Sequence, residues 1–410
     1  MTSKIDSPGY VQRAERLTAL RNLKMARSAH SYVRGNTKRF YEWLTTRQPH
    51  ALPEGPAIWI CGDCHVGNLG PVANINGDIQ LQIRDLDQTV IGNPAHDLIR
   101  LGLSLAMAAR GSDLPGVTTA FMMEQLIEGY TSAIEAQLSQ ADPSEDASTT
   151  LPASVQLVMQ AAMKRSWKEL ASERLDDGAV RFPIGKRFWK LTKDEKNEIR
   201  RLFEIGSVSR LATLLSYRND DVPVELVEAA YWVKGCSSLG RLRYAAILGV
   251  GHQDKKGFEH CLIDIKEAVP AAAPSYPGSK MPPDHARRVV EGARHLSPHL
   301  GERMLAAELL DKPVFLRELL PQDLKLALSQ LTATEATEVA SYLAGIVGKA
   351  HARQMDAKTA KLWVAELQKG RSKTLDAPSW LWNSVVDLVA SHEAAYLNHC
   401  RRYALMPSMA

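Results

Sequence analysis

Trp59-Ile60-Cys61-Gly62-Asp63-Cys64-His65-Val66-Gly67-Asn68-Leu69-Gly70 is the stretch on which the fold reading turns. The apolar segment Ala57 to Cys61 reads as a strand ending in Gly-Asp, and the loop after it sets His65 and Asn68 at fixed offsets. Asn76-Gly77 is a hairpin signal, because both residues tolerate the positive φ of a tight type I′ turn. Ile79-Gln80-Leu81-Gln82-Ile83 alternates as a half-buried strand and runs into Asp85-Leu86-Asp87. The hairpin thus folds Asp85 back toward Asn68, and Asp63, Asn68 and Asp85 converge at one strand end. Phosphoryl transfer asks for that set: a carboxylate to position or deprotonate the attacking hydroxyl, and an amide and a carboxylate to hold Mg²⁺.

With 410 residues the chain can bury two cores. At 45% hydrophobic and 23% charged it has the composition of a soluble globular protein. A net charge of +4 is small for this length and gives no reason to expect nucleic acid as a partner. Met1 to Asp6 is polar, so no signal peptide is expected, and no apolar run approaches membrane-spanning length. Five scattered cysteines suit a reducing cytoplasm. Cys61 and Cys64 form a Cys-x-x-Cys with no second pair, which favours small buried side chains over a zinc or redox site.

Residues 1–50 read as helical; Arg34-Gly35 could contact phosphate, although a solvated helix face is the first reading. Leu98 to Ala109 is apolar almost all round, as a buried helix requires. A second helix carries Phe121, Leu126, Tyr130 and Ile134 at helical spacing, and Ser139 to Pro152 reads as a connector. Ala162 to Arg201 holds twelve Lys or Arg against seven acids and reads first as a solvated face. The pattern changes to strand at Tyr231. Gly235-Cys236-Ser237-Ser238-Leu239-Gly240 then separates two strands, where glycines can lay backbone N–H groups over phosphates. Lys266, at the end of the alternating segment Phe258 to Lys266, needs a partner, which phosphate oxygens would supply. Val269 to Pro283 is a proline-rich loop, Asp284 caps the next helix, and Thr332-x-x-Glu335 opens another as a capping box.

Gly-Asp-x-His-x-x-Asn followed by Asp-x-Asp resembles the catalytic core of kinase-like phosphotransferases of the aminoglycoside and choline kinase type. More closely, the chain resembles the bacterial family of domain of unknown function 2252, from Lys24-Met25 and Arg34-Gly35 through His351-Ala352-Arg353. The resemblance implies Asp63 as the catalytic-loop aspartate with His65 beside it, and Asn68 and Asp85 as metal ligands with Asp87 a possible second carboxylate. Asp97 would be the structural aspartate after the metal loop. Cys61 departs from the His that small-molecule kinases usually place before Gly-Asp. Gly235 to Gly240, with Ser237 and Ser238, would be the phosphate-covering loop, and Lys266, 26 positions beyond Gly240, the lysine on the α- and β-phosphates. Glu291 is the candidate helix glutamate for Lys266, with Glu267 and Glu302 as alternatives. Residues 313–319 would lead into a hinge facing adenine.

The implied fold is α+β and two-lobed: a protein-kinase-like fold, circularly permuted, because the catalytic and metal segments precede the nucleotide-binding ones. Residues 1–230 would hold the catalytic and metal loops of a mainly helical large lobe. Residues 231–320 would form the small antiparallel-sheet lobe, and 321–410 the helical remainder. The implied function is ATP- and Mg²⁺-dependent (Mn²⁺ is possible) phosphoryl transfer to a small-molecule or protein acceptor. Two alternatives stand beside it. One is a nucleotide-binding protein without turnover. The other is a metal-dependent phosphoesterase of the Gly-Asp-x-His type, whose Gly-Asn-His-Asp Gly92 to Asp97 faintly echoes.

Overall fold

A computed structural model describes residues 10–47, 51–139, 151–176, 180–219, 221–236, 238–252, 258–326, 331–369 and 377–403. The chain opens with helices α1 (Tyr10–Ala26), α2 (Ala29–Gly35) and α3 (Thr37–Thr45). Four short strands follow: β1 (Ile58–Ile60), β2 (Leu69–Ala73), β3 (Ile79–Ile83) and β4 (Val90–Gly92). The helices α4 (Ala95–Gly111), α5 (Gly116–Leu138), α6 (Ala153–Lys164) and α7 (Trp167–Arg174) come next. After β5 (Phe188–Trp189), α8 (Lys193–Glu204) and α9 (Gly206–Ser209), the chain runs through β6 (Val224–Trp232), β7 (Arg243–Val250) and β8 (Glu259–Glu267). It continues as α10 (His285–Leu296), α11 (Pro298–Gly301), β9 (Met304–Leu309) and β10 (Lys312–Glu318), and closes with α12 (Ala333–Ala352), α13 (Ala357–Leu367) and α14 (Ser379–Tyr403).

The architecture is α+β with antiparallel sheets. One sheet has six strands in the order β5-β6-β7-β8-β10-β9, and two ribbons pair β1 with β4 and β2 with β3. The main core gathers β1 to β4 with α4, α5, α10 and α12 to α14, whereas a second apolar cluster packs α8 against one face of the six-stranded sheet. Residues 188–213 therefore pack with the sheet, although the sequence reading groups them with residues 1–230. The strand expected from Tyr231 begins earlier, at Val224, where half-buried and exposed residues alternate along an edge-facing stretch.

α4 is buried along nearly its whole length, as its all-apolar surface dictates. α5 and α12 cross closely because glycines face the contact. A Cβ on Gly129 would lie 2.1 Å from the Ser341 carbonyl oxygen, and one on Gly348 would lie 2.6 Å from that of Tyr130. That crossing fixes α12, and with it His351, against the strands that carry the site.

The β2–β3 turn differs from the tight two-residue form expected of Asn76-Gly77. Residues 74–78 make a wider loop, in which Asn74 Oδ1 accepts from Asn76 N (2.9 Å) and Asp78 N (2.8 Å). Only Gly77 takes a positive φ, of 89°. The Asn74 side chain supplies the turn's hydrogen bonds, so the backbone need not adopt the primed geometry. The register still sets Leu69 opposite Ile83, and Arg84 N donates to Asn68 O (2.7 Å), which continues the ladder to Asp85.

Candidate functional site

The site begins where β1 ends. Asp97, fully buried near the start of α4, accepts from the backbone N–H of Cys61 (2.7 Å) and of Gly62 (2.9 Å). Gly62 has φ +74°, and a Cβ there would lie 2.1 Å from the Gln88 carbonyl oxygen, so only glycine fits this turn. His351 Nε2 lies 3.3 Å from Asp97 Oδ2, its Nδ1 lies 2.8 Å from Tyr130 Oη, and Trp363 Nε1 donates to that same oxygen at 3.1 Å. With Trp363 filling the phenol as donor, Tyr130 gives its own proton to Nδ1. That leaves the Nε2–H tautomer of His351 facing the carboxylate. A buried chain from α13 through α5 and α12 thus fixes the loop that presents Asp63.

Asp63 is held on both oxygens. Arg100 Nε donates to Oδ1 and Thr37 Oγ1 to Oδ2, each at 2.8 Å. Burial pushes its carboxyl upward against these two partners. Arg100 interrupts the apolar surface of α4, and a lone guanidinium there is a readable sign of a buried carboxylate partner. The sequence reading passed over it and over Thr37, for which no sequence signal exists. His65 is buried, with Nε2 3.9 Å from Asp63 Oδ2 and Nδ1 without a partner. Burial, then Arg100 and Arg34, holds it well below the usual histidine range, so it is neutral. Asn68 Nδ2 donates to the Asp63 carbonyl at 3.0 Å, which turns its amide oxygen toward other partners.

Asp85 and Asp87 sit beyond the hairpin, and Cys61 Sγ donates to the Asp85 carbonyl at 3.6 Å, tying the two loops together. Cys61 and Cys64 are buried free thiols. The Cys64 hydrogen bond and burial push Cys61 well up, so it stays protonated. Lys266 reaches Asp85 Oδ1 at 3.4 Å and pairs with Asp87 Oδ2. Enclosure would raise the Asp85 carboxyl, but Lys266, the Asp87 hydrogen bond and two arginines outweigh it and hold it low. Asp87 is pushed up to about 6 by burial and by the Asp85 charge, and its Oδ1 is buried without a partner.

Glu291 does not meet Lys266. It lies on the exposed side of α10 and pairs with Arg294 and His295 of its own helix. The alternatives are also engaged elsewhere, Glu267 with Lys312 and Leu242 N, and Glu302 with Ile75 N. The buried side of α10 offers Arg288 instead, which donates to the carbonyls of Asp87 (3.1 Å) and Val269 (3.0 Å).

Asp63, His65, Asn68 and Asp85 line one cavity of about 710 Å³, together with Gly235, Ser238 and the segment from Leu319 to Lys325 that follows β10. Lys266 and Asp87 stand behind its wall. Gly235 has φ +91°, and Lys24 Nζ donates to its carbonyl at 3.1 Å. Ser238 is buried; its hydroxyl lies 3.4 Å from the Lys234 carbonyl oxygen. Gly240 is exposed, away from the cavity, and Ser237 lies outside the described residues. Buried Asp264 holds Arg243 (2.6 Å) and Arg317 (3.4 Å), which line the wall. Arg34 also lines it, against Gly67, rather than facing solvent as its helix pattern suggested.

Among the described residues no group of three or more His, Cys, Asp or Glu is placed to hold a metal ion. A Mg²⁺ site of fewer carboxylates fits what is present. Asp85 opens onto the cavity, the Asn68 amide oxygen is turned away from its own loop, and Asp87 Oδ1 is a buried orphan. No helix among the described residues is long and apolar enough to cross a membrane.

Neither a curated protein nor a solved structure matches the chain. A family model does, over residues 13–402, under the description of an uncharacterized protein conserved in bacteria. That span takes in every side chain of the site, and the chain belongs to the bacterial DUF2252 family.

Proposed function

We propose that this protein is an ATP- and Mg²⁺-dependent phosphotransferase built as a circularly permuted kinase-like fold. The observation that carries the reading is the meeting of Lys266 with Asp85 and Asp87 at the edge of the cavity that Asp63, Asn68 and the Gly235 turn share. Their order around the six-stranded sheet supports it too: a glycine turn joins β6 to β7, and the lysine stands on β8, the third strand from that turn's start. The helix α10, the single turn α11 and two more strands follow before the cavity-lining segment at Leu319.

In this reading the nucleotide phosphates lie under the Gly235 turn and the base lies near Leu319, Leu320 and Leu324. Mg²⁺, held by Asp85 and Asn68 with Asp87 in reserve, would neutralise charge on the phosphates. Lys266 balances the carboxylate pair and contributes its charge to the phosphate oxygens. Asp63 receives the acceptor's hydroxyl. As the acceptor oxygen bonds to the γ-phosphorus, the bond to the β–γ bridging oxygen breaks, ADP leaves, and the hydroxyl proton passes to Asp63. Thr37 and Arg100 occupy both Asp63 oxygens, so its first task is to fix the hydroxyl's position. That double clamp also gives weight to a second reading, a nucleotide-binding protein without turnover.

Incubation with ATP labelled on the γ-phosphate and a broad pool of small-molecule and protein acceptors tests the proposal. Label transfer or slow ADP release is expected from the wild type, reduced about 10²–10⁴-fold in Asp63→Asn. Equal turnover by the two proteins would reduce Asp63 to a turn residue.

A further inference from the structure

The cavity carries more positive charge than a nucleotide site of this kind requires. Ten Lys or Arg line it against four acids. Those acids are already answered: Asp63 by Arg100, Asp85 by Lys266 and Asp323 by Arg303, all three cations standing behind the wall, and Glu173 by Arg165 and Arg174. Arg243 and Arg317 share Asp264. The other six have no carboxylate within ion-pair distance among the described residues: Lys24 and Arg84 donate to the carbonyls of Gly235 and Asp323, Lys234 lies over the Trp232 ring, and Lys325 is joined by Arg27 and Arg34, the two at the α1–α2 corner.

Arg34 is the more telling of the two. It is half-buried, and its guanidinium lies so close to the Asp63–Asn68 loop that a Cβ on Gly67 would stand 2.8 Å from its Cζ. Removing a guanidinium from water without a counter-charge is unfavourable, and an anion in the cavity would relieve it. Beside it, neutral His65 is 4% exposed, faces the same cavity and leaves Nδ1 without a partner. The Gly235 turn, given to the nucleotide in this reading, borders the same corner: a Cβ on Gly35 would stand 2.9 Å from Cys236 Sγ, and Lys24 Nζ donates to the Gly235 carbonyl.

We propose that the acceptor is itself an anion, a hydroxyl compound bearing a phosphate or comparable dianionic group, seated on Arg27 and Arg34 beside His65. The inference rests on the phosphotransferase reading and narrows it. The cationic acceptors of the aminoglycoside and choline type would be repelled by this wall, so the resemblance does not carry over to the substrate. The forked guanidinium of Arg34 suits a planar or tetrahedral oxyanion, whose far oxygen can meet His65 Nδ1.

The test is calorimetric titration of glycerol 3-phosphate, glycerol and choline into the full chain, alone and loaded with Mg²⁺ and a non-hydrolysable ATP analogue. Glycerol 3-phosphate is expected to bind the loaded protein, while glycerol and choline do not. In Arg27→Ala/Arg34→Ala its affinity should fall about tenfold or more, with analogue affinity within about threefold of wild type. Should that variant fail to melt cooperatively, Arg34→Lys, which keeps the charge and loses the fork, takes its place with a smaller loss expected. Choline binding, no glycerol 3-phosphate binding in either state, or equal loss of analogue and glycerol 3-phosphate would each overturn the proposal. If the analogue does not bind the wild type at all, the phosphotransferase reading and this acceptor assignment fall together. Glycerol 3-phosphate binding that the variant abolishes would then mark an anion site of another purpose.

Discussion

Replacing Asp97 by Asn tests whether this buried carboxylate holds the Asp63 loop in place. The two groups are nearly the same size, so packing is preserved and hydrogen bonding alone changes. Each Asp97 oxygen accepts from a backbone N–H, of Cys61 at 2.7 Å and of Gly62 at 2.9 Å, and His351 Nε2 stands 3.3 Å from Oδ2. An amide offers one oxygen and one NH₂. Whichever way it turns, a donor faces a donor, and one buried N–H loses its partner. A hydrogen bond to a charged group contributes about 1.5–3 kcal/mol, and an orphaned buried donor costs about 1–3 kcal/mol. The expected loss is therefore about 3–5 kcal/mol, a large share of a typical domain's stability. Urea unfolding measures it as a lower midpoint at unchanged slope. Asp356→Asn is the control, because Asp356 caps α13 at the surface by accepting from Thr359 N (2.7 Å), and asparagine caps equally well. A change below about 1 kcal/mol in Asp97→Asn would show that the aspartate is not what holds the loop.

Lys266→Ala should lose nucleotide binding and turnover together, because the phosphotransferase reading gives Lys266 the phosphates and because Asp85 and Asp87 lose their shared ion-pair partner; binding within about threefold of wild type by calorimetry would refute that role. Gly129→Val should destabilise the α5–α12 crossing by at least about 1–3 kcal/mol, read as an earlier melt, since the new side chain meets Ser341 backbone at 2.1 Å; an unchanged melt would mean the helices part easily. Burial, helped by neighbouring arginines for His30 and His392, lowers His30, His96 and His392 to about 4, against an ordinary 6.5. The unfolded chain therefore takes up protons first, and stability should fall as pH drops from about 6.5 toward 4. A melting temperature flat between pH 7 and pH 5 would contradict this.

Much of the site was legible because its central residues lie within one short stretch. Gly-Asp at a strand end, Asn68 in the loop and a hairpin returning Asp85 are local relations, and β2–β3 pairing enforces them even though the turn is wider than expected. The burial of α4 was legible from its apolar surface, and the caps at Asp284 and Thr332 from composition. What could not be read depends on which distant faces meet. The partners of Lys266 are carboxylates of the hairpin rather than Glu291, because α10 turns its small apolar residues inward and leaves Glu291 half-exposed. Likewise Arg34 reads as solvated on its own helix, and only the packing of α2 on the Asp63 loop encloses it.

The central claim, that this cavity binds Mg²⁺ with ATP through Asp85 and Lys266, is tested most directly by thermal shift with ATP and GTP, each with and without Mg²⁺ or Mn²⁺. Binding to the folded state alone stabilises by RT ln(1 + [L]/Kd), about 2.7 kcal/mol at a hundredfold excess over Kd. A metal-dependent rise in melting temperature is expected for the wild type, and its disappearance in Asp85→Ala and Lys266→Ala. No rise with either nucleotide and either metal, or a full rise in both variants, would contradict the account.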